Sequence, residues 1–252
     1  MIIQYCSDLH LEFPDNNKYM ARHPLTPVGD ILVLAGDIAA FCITDKRKDF
    51  FDYVSAHFPV TYWIPGNHEY YDADISDRSG KLHEQVRSNV FLVNNSTFVH
   101  GHARFIFSTL WSAISIGDKR QVENYISDFK SIRYRGGPFS VEIFNQLHQT
   151  ALDFVSTELN TAWQGKTVVV THHVPTLLHY PNKYKGDKLN QVFAVELREL
   201  VEKTQPDYWI YGHHHSNTPA FNIGSTQMLC NQLGYVHHYE YGSFVSDKHI
   251  VL

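Results

Sequence analysis

Cysteine is scarce in this sequence. Only three cysteines occur among 252 residues, Cys6, Cys42 and Cys230, and no two of them form a CxxC pair. This argues against a disulfide framework and predicts reduced thiols in a cytoplasmic protein. The sequence also lacks any apolar run long enough to cross a bilayer, so no membrane partner is expected. Its amino terminus opens directly on a strand pattern and lacks the layout of a signal peptide.

A strong charge of either sign is missing too. The formal net charge is −5, which counts against a dedicated nucleic-acid-binding protein, because such domains usually carry a basic patch. The chain is 43% hydrophobic and 14% aromatic, so it has ample core material and does not read as disordered. With no linker or repeat, residues 1–252 are predicted to form one domain. Histidine is abundant, with 17 residues.

Short apolar runs alternate with helical patterns along the chain. Runs rich in β-branched and aromatic residues predict buried strands at 1–6, 31–35, 60–64, 167–170 and 208–211. Three-to-four-residue periodicity predicts helices at 44–58, about 75–88, 140–160 and around 193–200. The polar stretch at 14–29 is predicted to be a loop, and 90–111 a meander in a second sheet. Residues 112–139 read as an insertion that could act as a lid. This order indicates an α/β fold.

Metal-ligand residue types follow each of the five predicted strands. In open α/β sheets ligands bind beyond the carboxyl ends of the strands, so these side chains are expected to converge at one edge. Asp8 and His10 lie two residues apart, so on an extended backbone they would point to the same side. The predicted metal ligands are Asp8, His10, Asp37, Asn67, His172, His213 and His215.

The composition of this set predicts its chemistry. Two aspartates, one asparagine and four histidines, with no thiolate, suit manganese, iron or zinc. Seven side chains are too many for one four-coordinate ion, but they suit two ions that share a bridging carboxylate. Such a centre would keep a positive charge and would supply hydroxide near neutral pH. These properties together predict hydrolysis of a phosphate ester by a metal-activated hydroxide.

The same residues carry a family resemblance. Five segments resemble, in order, the five-part signature of calcineurin-like metallophosphoesterases. They are Asp8-x-His10, Gly36-Asp37, Gly66-Asn67-His68-Glu69, His172 and Gly212-His213-x-His215. Smaller features around Trp111 and in 231–235 are similar to a bacterial-type subgroup. The resemblance implies a four-layer αββα sandwich of two mixed sheets flanked by helices, with two divalent ions, manganese above all, at the carboxyl ends of the strands.

The resemblance also implies roles. One ion would be held by Asp8, His10, Asp37 and His215. The other would be held by Asp37, Asn67, His172 and His213, so that Asp37 bridges the two. His68 would be the catalytic residue that contacts the phosphate and stabilises the transition state or protonates the leaving oxygen, and Asn67 would also contact substrate.

One departure from the family is informative. After Asp37 the family's protein Ser/Thr phosphatases continue into Asp-Arg-Gly, whereas this chain continues into 38–41, Ile-Ala-Ala-Phe. The difference weakens a protein-phosphatase interpretation and removes the acidic residue that orients the catalytic histidine there. No replacement can be named from the sequence.

Other residues near the motifs have weaker claims to a role. Glu69 is interpreted as an acid in the first turn of a helix, and His173 and His214 are expected to point away from the metals. Trp111 is a candidate pocket wall or core residue. Lys130, Arg133 and Arg135 could hold a second anionic group of a substrate, although a solvated surface is the simpler interpretation of these three cations.

Three functions remain open. The first is a dinuclear hydrolase for a small phosphodiester or phosphomonoester, such as a nucleotide. The second is a nuclease on the same fold, which the acidic net charge disfavours. The third is a non-catalytic metal-binding scaffold, which would have been free to lose ligands that are all present here. Neither the substrate nor the oligomeric state can be read from the sequence.

Overall fold

Two six-stranded sheets form the centre of the structure, a computed structural model that describes all residues from 1 to 252. The strands are β1 (Ile2–Cys6), β2 (Ile31–Ala35), β3 (Val60–Ile64), β4 (Leu82–Arg87), β5 (Val90–Asn94), β6 (Ser96–His100), β7 (Ala103–Ser108), β8 (Arg133–Tyr134), β9 (Gly137–Pro138), β10 (Lys166–Thr171), β11 (Tyr208–Ile210), β12 (Phe221–Ile223), β13 (Thr226–Leu229) and β14 (His249–Val251). The helices are α1 (Pro14–Arg22), α2 (Lys48–His57), α3 (Lys119–Tyr125), α4 (Asp128–Ser131), α5 (Val141–Asn160), α6 (Asn190–Phe193) and α7 (Arg198–Thr204).

Both sheets are mixed. The first has the order β14-β1-β2-β3-β5-β4, and the second has the order β12-β13-β11-β10-β7-β6. In each sheet the four central strands run parallel, and an antiparallel strand closes each edge. The parallel strands bring the loops at their carboxyl ends to one edge of their sheet, where ligand sites form in such folds.

The sheets pack face to face, and helices cover their outer faces. Alternation along β2 shows the arrangement, because Ile31 and Val33 face the second sheet whereas Leu32 and Leu34 pack under α1 and α2. On the far side, α5 and α7 pack on the outer face of the second sheet. These layers confirm the predicted αββα sandwich. No helix in the structure is both long enough and apolar enough to span a membrane.

Three local predictions are wrong. The stretch predicted as a loop at 14–29 contains α1, which starts with Pro14, a residue whose fixed φ suits a first helical position. The helix predicted at 44–58 starts at Lys48, because Thr44 lies inside a 3₁₀ turn, Phe41–Arg47. The helix predicted at about 75–88 is instead a 3₁₀ turn followed by β4, whose polar residues suit a strand at the edge of the sheet.

Three further segments also differ in detail from their predictions. The predicted meander at 90–111 is divided, since β5 joins the first sheet while β6 and β7 join the second. The region near 193–200 forms two short helices, α6 and α7. The insertion at 112–139 contains α3, α4 and the β8–β9 hairpin, and its apolar residues pack together with Trp111 and Phe144.

Candidate metal centre

The predicted ligands lie in five loops that each follow a parallel strand. Asp8 and His10 follow β1, Asp37 follows β2, and Asn67 follows β3. The other three ligands follow β10 and β11 of the second sheet. Backbone hydrogen bonds tie the loops together: the His10 N–H donates to the carbonyl of Asp37 at 2.9 Å, and the Gly212 N–H donates to that of His172 at 3.0 Å. Between the sheets, the His213 N–H donates to the carboxylate of Asp8 at 3.0 Å, so the two sheets present one shared edge.

At this edge the ligand atoms form two groups. Asp8, His10, Asp37 and His215 each offer one nitrogen or oxygen, and these atoms all lie within 4.8 Å of one another. Asp37, His172 and His213 form a second group, whose ligand atoms also lie within 4.8 Å of one another. Asn67 completes the second group, because its Oδ1 lies 3.2 Å from Nε2 of His172. Asp37 is the one residue present in both.

Pairs of imidazole nitrogens face each other across the centre. Nε2 of His10 lies 2.9 Å from Nε2 of His215, and Nε2 of His172 lies 3.1 Å from Nδ1 of His213. Two such nitrogens can share a single proton or coordinate a single cation, but they cannot both keep a proton. The buried Nε2 of His213 has no hydrogen-bond partner at all. The donor set and its spacing therefore fit divalent metal ions.

The raised pKa values of two ligand histidines reflect the negative charge that is concentrated here. Burial would lower the pKa of His172, but the Asp37 carboxylate outweighs it and raises that pKa to about 9. Burial is likewise outweighed at His215, where hydrogen bonds to Asp8 and Glu240 raise the pKa to about 10. Protons thus compensate buried carboxylates that metal ions would otherwise neutralise.

The ligands are presented by an unusual backbone. The sequence interpretation placed Asp8 and His10 on an extended backbone, but β1 ends at Cys6, and both residues are left-handed, with φ of 57° and 47°. Asp37, His213 and His215 also have positive φ. Non-glycine residues rarely adopt this conformation unless their surroundings enforce it, and such residues concentrate at functional sites.

Two motif glycines are required by close packing. Gly36 has φ of 90°, and a Cβ there would collide with the ring of His172. A Cβ at Gly66 would collide with the carboxylate of Asp37. Glycine therefore lets the loops after β2 and β3 approach the ligands directly.

His68 lies beside the two groups and is held by an acid that sequence reasoning missed. Glu12 Oε1 lies 3.0 Å from Nδ1 of His68 and also 3.0 Å from Nδ1 of His10. This carboxylate oxygen holds both imidazoles with Nδ1 protonated, so that each directs Nε2 into the centre. Glu12 thus takes the orienting role that no residue after Asp37 fills. The sequence feature that could have pointed to Glu12 is the continuation of the motif Asp8-x-His10 into x-Glu12.

His68 has two further contacts. Its backbone N–H donates to Oδ1 of Asp37 at 2.9 Å, and its Nε2 lies 3.2 Å from the hydroxyl of Tyr235. Burial lowers the pKa of His68, but the carboxylates of Asp37 and Glu12 outweigh it and raise that pKa above its ordinary value. His68 therefore holds a proton more readily than an ordinary histidine does.

Two more acids support the ligands, and neither was identified from the sequence. Glu240 accepts a hydrogen bond from Nδ1 of His215 at 2.8 Å. Asp128, which is buried in α4 of the insertion, accepts from Nδ2 of Asn67 at 2.8 Å and so turns Oδ1 of Asn67 toward the centre. Their separations from these partners, 25 and 61 residues, left no local pattern to find.

Glu69 lies in the first turn of a short 3₁₀ helix and belongs to neither ligand group. Its buried carboxylate instead accepts hydrogen bonds from the backbone N–H groups of Asp37, Ile38 and Gly66 and from Nε1 of Trp63, at 2.7–3.0 Å. Burial and the Asp37 carboxylate raise the pKa of Glu69, while these N–H donors oppose the rise by favouring the ionised form. Glu69 thus joins the loops after β2 and β3.

Replacing Glu69 by glutamine should destabilise the protein by about 2–3 kcal/mol, because the new NH₂ group would face buried N–H donors. Chemical denaturation of the metal-free protein measures this free energy of unfolding. Glu84→Gln is the matched control, since its carboxylate lies in an edge strand and is 39% exposed. A loss no larger in Glu69→Gln than in Glu84→Gln would contradict the role given to this carboxylate.

The remaining histidines of the motifs belong to neither ligand group. His173 is fully buried without a hydrogen-bond partner, and its ring packs near those of Trp111 and His213. Burial and the neighbouring His172 hold its pKa well below the ordinary value, so it remains neutral. His214 contacts the side chain of Gln232.

A cavity of about 360 Å³ opens beside the centre, and His213 and His215 form part of its wall. The residues suggested as substrate contacts do not line it. Trp111 is 3% exposed and packs in the apolar core of the insertion. Arg133 and Arg135 belong to the exposed hairpin segment, where Arg135 stacks on Tyr134. The cavity therefore lacks the arginines that could have held a second anion, and their exposure agrees with the simpler interpretation of a solvated surface.

Comparison with known proteins agrees with this geometry. The family model described as calcineurin-like phosphoesterase matches residues 1–217. An uncharacterized protein of Acanthamoeba polyphaga mimivirus is 28% identical over 265 residues, which cover 94% of this chain and 92% of that protein.

Solved structures of low sequence identity resemble the fold. Phosphopantetheinyl hydrolase from Mycobacterium tuberculosis superimposes with a TM-score of 0.73 at 15% identity, over 99% of this chain and 95% of that one. A dimetal phosphatase from Danio rerio gives a TM-score of 0.46 at 12% identity, over 92% and 87% of the two chains. The first of these shows a shared architecture over nearly the whole chain.

Proposed function

This chain belongs to the calcineurin-like phosphoesterase family, and from that premise we propose that it hydrolyses a phosphate ester of a small molecule with two divalent metal ions bound. Family membership supports metal-dependent hydrolysis of phosphoesters in general. The observation that carries the finer proposal is the pair of ligand groups that overlap at Asp37. A carboxylate common to two groups is the arrangement expected for a bridge between two ions.

We assign the ligands by these groups. Asp8, His10, Asp37 and His215 hold one ion, and Asp37, Asn67, His172 and His213 hold the other. Manganese is the metal proposed, with iron and zinc as alternatives for the same oxygen and nitrogen donors. When bound, the ions supply Lewis acidity for the phosphate and lower the pKa of water enough to provide a nucleophile near neutral pH.

The protein's own residues supply the proton and hold it in place. Glu12 fixes Nδ1 of His68, and the raised pKa of His68 favours the protonated ring. From Nε2, His68 then donates a proton or a hydrogen bond to the oxygen that leaves the phosphorus. Asn67, whose Nδ2 is held by Asp128, presents Oδ1 to the second ligand group.

A small substrate fits better than nucleic acid. The cavity beside the centre holds about 360 Å³, near the lower end of the ~300–1,000 Å³ typical of small-molecule sites. The net charge of −5 and a cavity wall without lysine or arginine count against a nuclease. The scaffold alternative has no specific observation in its favour, because all seven ligands and His68 are present.

The protein loaded with manganese should hydrolyse bis(p-nitrophenyl) phosphate or p-nitrophenyl phosphate, and activity should fall to background after chelation and return when manganese is restored. Release of p-nitrophenolate measures the rate. A lack of turnover with manganese, iron and zinc on both esters would favour the scaffold. Rapid cutting of plasmid or single-stranded DNA would favour the nuclease.

A further inference from the structure

The cavity beside the metal centre is placed to receive the organic group that is attached to the phosphate of a substrate. Its wall includes the proposed ligands His213 and His215, together with Tyr235, whose hydroxyl lies 3.2 Å from Nε2 of His68. A phosphate held at the centre would therefore direct one of its substituents into this space.

Aromatic rings form much of the wall of the cavity. Tyr180, Tyr184 and Phe193 come from the loop after β10 and from α6, and Tyr235 comes from the loop after β13. The ring of Phe193 lies 4.9 Å from that of His213, so the aromatic surface continues up to the metal ligands. Such π faces bind flat, apolar groups by stacking.

The charges on the wall are negative. Asp187 and Glu240 line the cavity, and no lysine or arginine does. Two nearby lysines are paired with other groups: Lys183 lies 4.6 Å over the ring of the wall residue Tyr184, and Lys188 is 2.9 Å from the carboxylate of Asp118. A second phosphate or a carboxylate beside Asp187 would therefore meet repulsion, with no lysine or arginine on the wall to offset it.

We propose that this cavity binds the organic group of the substrate and selects an uncharged, flat ring system while rejecting a group that carries a second anion. The inference rests on the proposed function, because it assumes that the phosphate is held at the metal centre. The volume of about 360 Å³ suits one single or fused ring system rather than a polymer.

Binding of non-hydrolysable phosphonates to manganese-loaded protein tests this selection without requiring turnover. Calorimetry should find phenylphosphonate bound about tenfold more tightly than methylphosphonate, because its ring is buried against the aromatic wall. 4-Carboxyphenylphosphonate should lose most of that gain. Equal affinities for the methyl and phenyl compounds would overturn the proposal, as would tightest binding of the carboxylated one.

Two substitutions locate the effect. Tyr184→Ala should shrink the advantage of the phenyl compound, whereas Tyr125→Ala, at a surface tyrosine that does not line the cavity, should leave it unchanged. Asp187→Asn should improve binding of the carboxylated compound several-fold relative to Asp45→Asn, a change at an exposed carboxylate elsewhere. Tyr184 is 37% exposed, so its removal opens no core cavity.

The outcomes separate the two proposals. Ring selection in the binding series without hydrolysis of any ester would leave the cavity assignment standing and defeat the proposed function. Hydrolysis of an ester without ring selection in the binding series would support the proposed function and defeat the cavity assignment. If no phosphonate bound, or if Tyr184→Ala and Asp187→Asn changed nothing, the cavity assignment would be wrong.

Discussion

Replacing His68 by alanine should lower kcat by about 10²–10⁴-fold while two metal ions remain bound, because the variant loses the group proposed to serve the leaving oxygen but keeps every proposed ligand. His68 is 6% exposed and lies between Glu12 and Tyr235, and neither of these two side chains offers an imidazole to replace it. Steady-state kinetics on an aryl phosphodiester gives the rate, and elemental analysis gives the metal content of the same preparation.

Two comparisons make this experiment specific. His102→Ala, at an exposed turn, should leave kcat unchanged. Glu12→Gln should lower kcat less than His68→Ala does, because the imidazole is still present but is held less firmly. A His68→Ala protein that keeps near-normal kcat would rule His68 out as the catalytic group. A His68→Ala protein that loses its metals would indicate that His68 is a structural element of the centre instead.

Asp37→Asn should abolish activity and reduce the bound metal from two ions to one or fewer per chain. Asp37 is the one residue common to both ligand groups, and an amide cannot bridge two cations with the charge of a carboxylate. The surrounding histidines hold the pKa of Asp37 well below its ordinary value despite burial, so the native residue is ionised before any metal binds. Elemental analysis after gel filtration measures the stoichiometry.

The control for this substitution is Asp45→Asn, which removes a carboxylate that is 96% exposed and should leave both ions and turnover intact. Thermal unfolding of the metal-free proteins checks that Asp37→Asn still folds, since Oδ1 of Asp37 also accepts the backbone N–H of His68. If folded Asp37→Asn retained two tightly bound ions, the bridging assignment would be refuted.

The central strands could be predicted from the sequence because they are buried on both faces. The segments 31–35 and 60–64 read as nearly continuous apolar runs, and the structure has strands with those bounds. Edge elements were harder to predict. β4 carries polar residues that resemble a helical surface, and only its pairing with β5 makes it a strand. The helix that starts at Pro14 was missed because its polar, proline-led sequence resembles a loop.

In the site, too, some features could be predicted from the sequence and others could not. The positions of the proposed ligands after strands could be predicted, since that depends on the order of elements along the chain. Their left-handed backbone could not, because it is imposed by contacts between loops rather than by local preference. Asp128 was missed for the same reason, since it meets Asn67 across 61 residues, whereas Glu12 follows His10 in the motif and only its contact with His68, across 56 residues, was hidden.

The most direct test of the account is the anomalous scattering of manganese in crystals grown with that metal. We expect two peaks per chain, about 3.5–4 Å apart, with the carboxylate of Asp37 between them. One should lie among Asp8, His10 and His215, and the other among Asn67, His172 and His213. A single peak, or peaks distant from Asp37 and His213, would contradict a dinuclear centre built from these five loops.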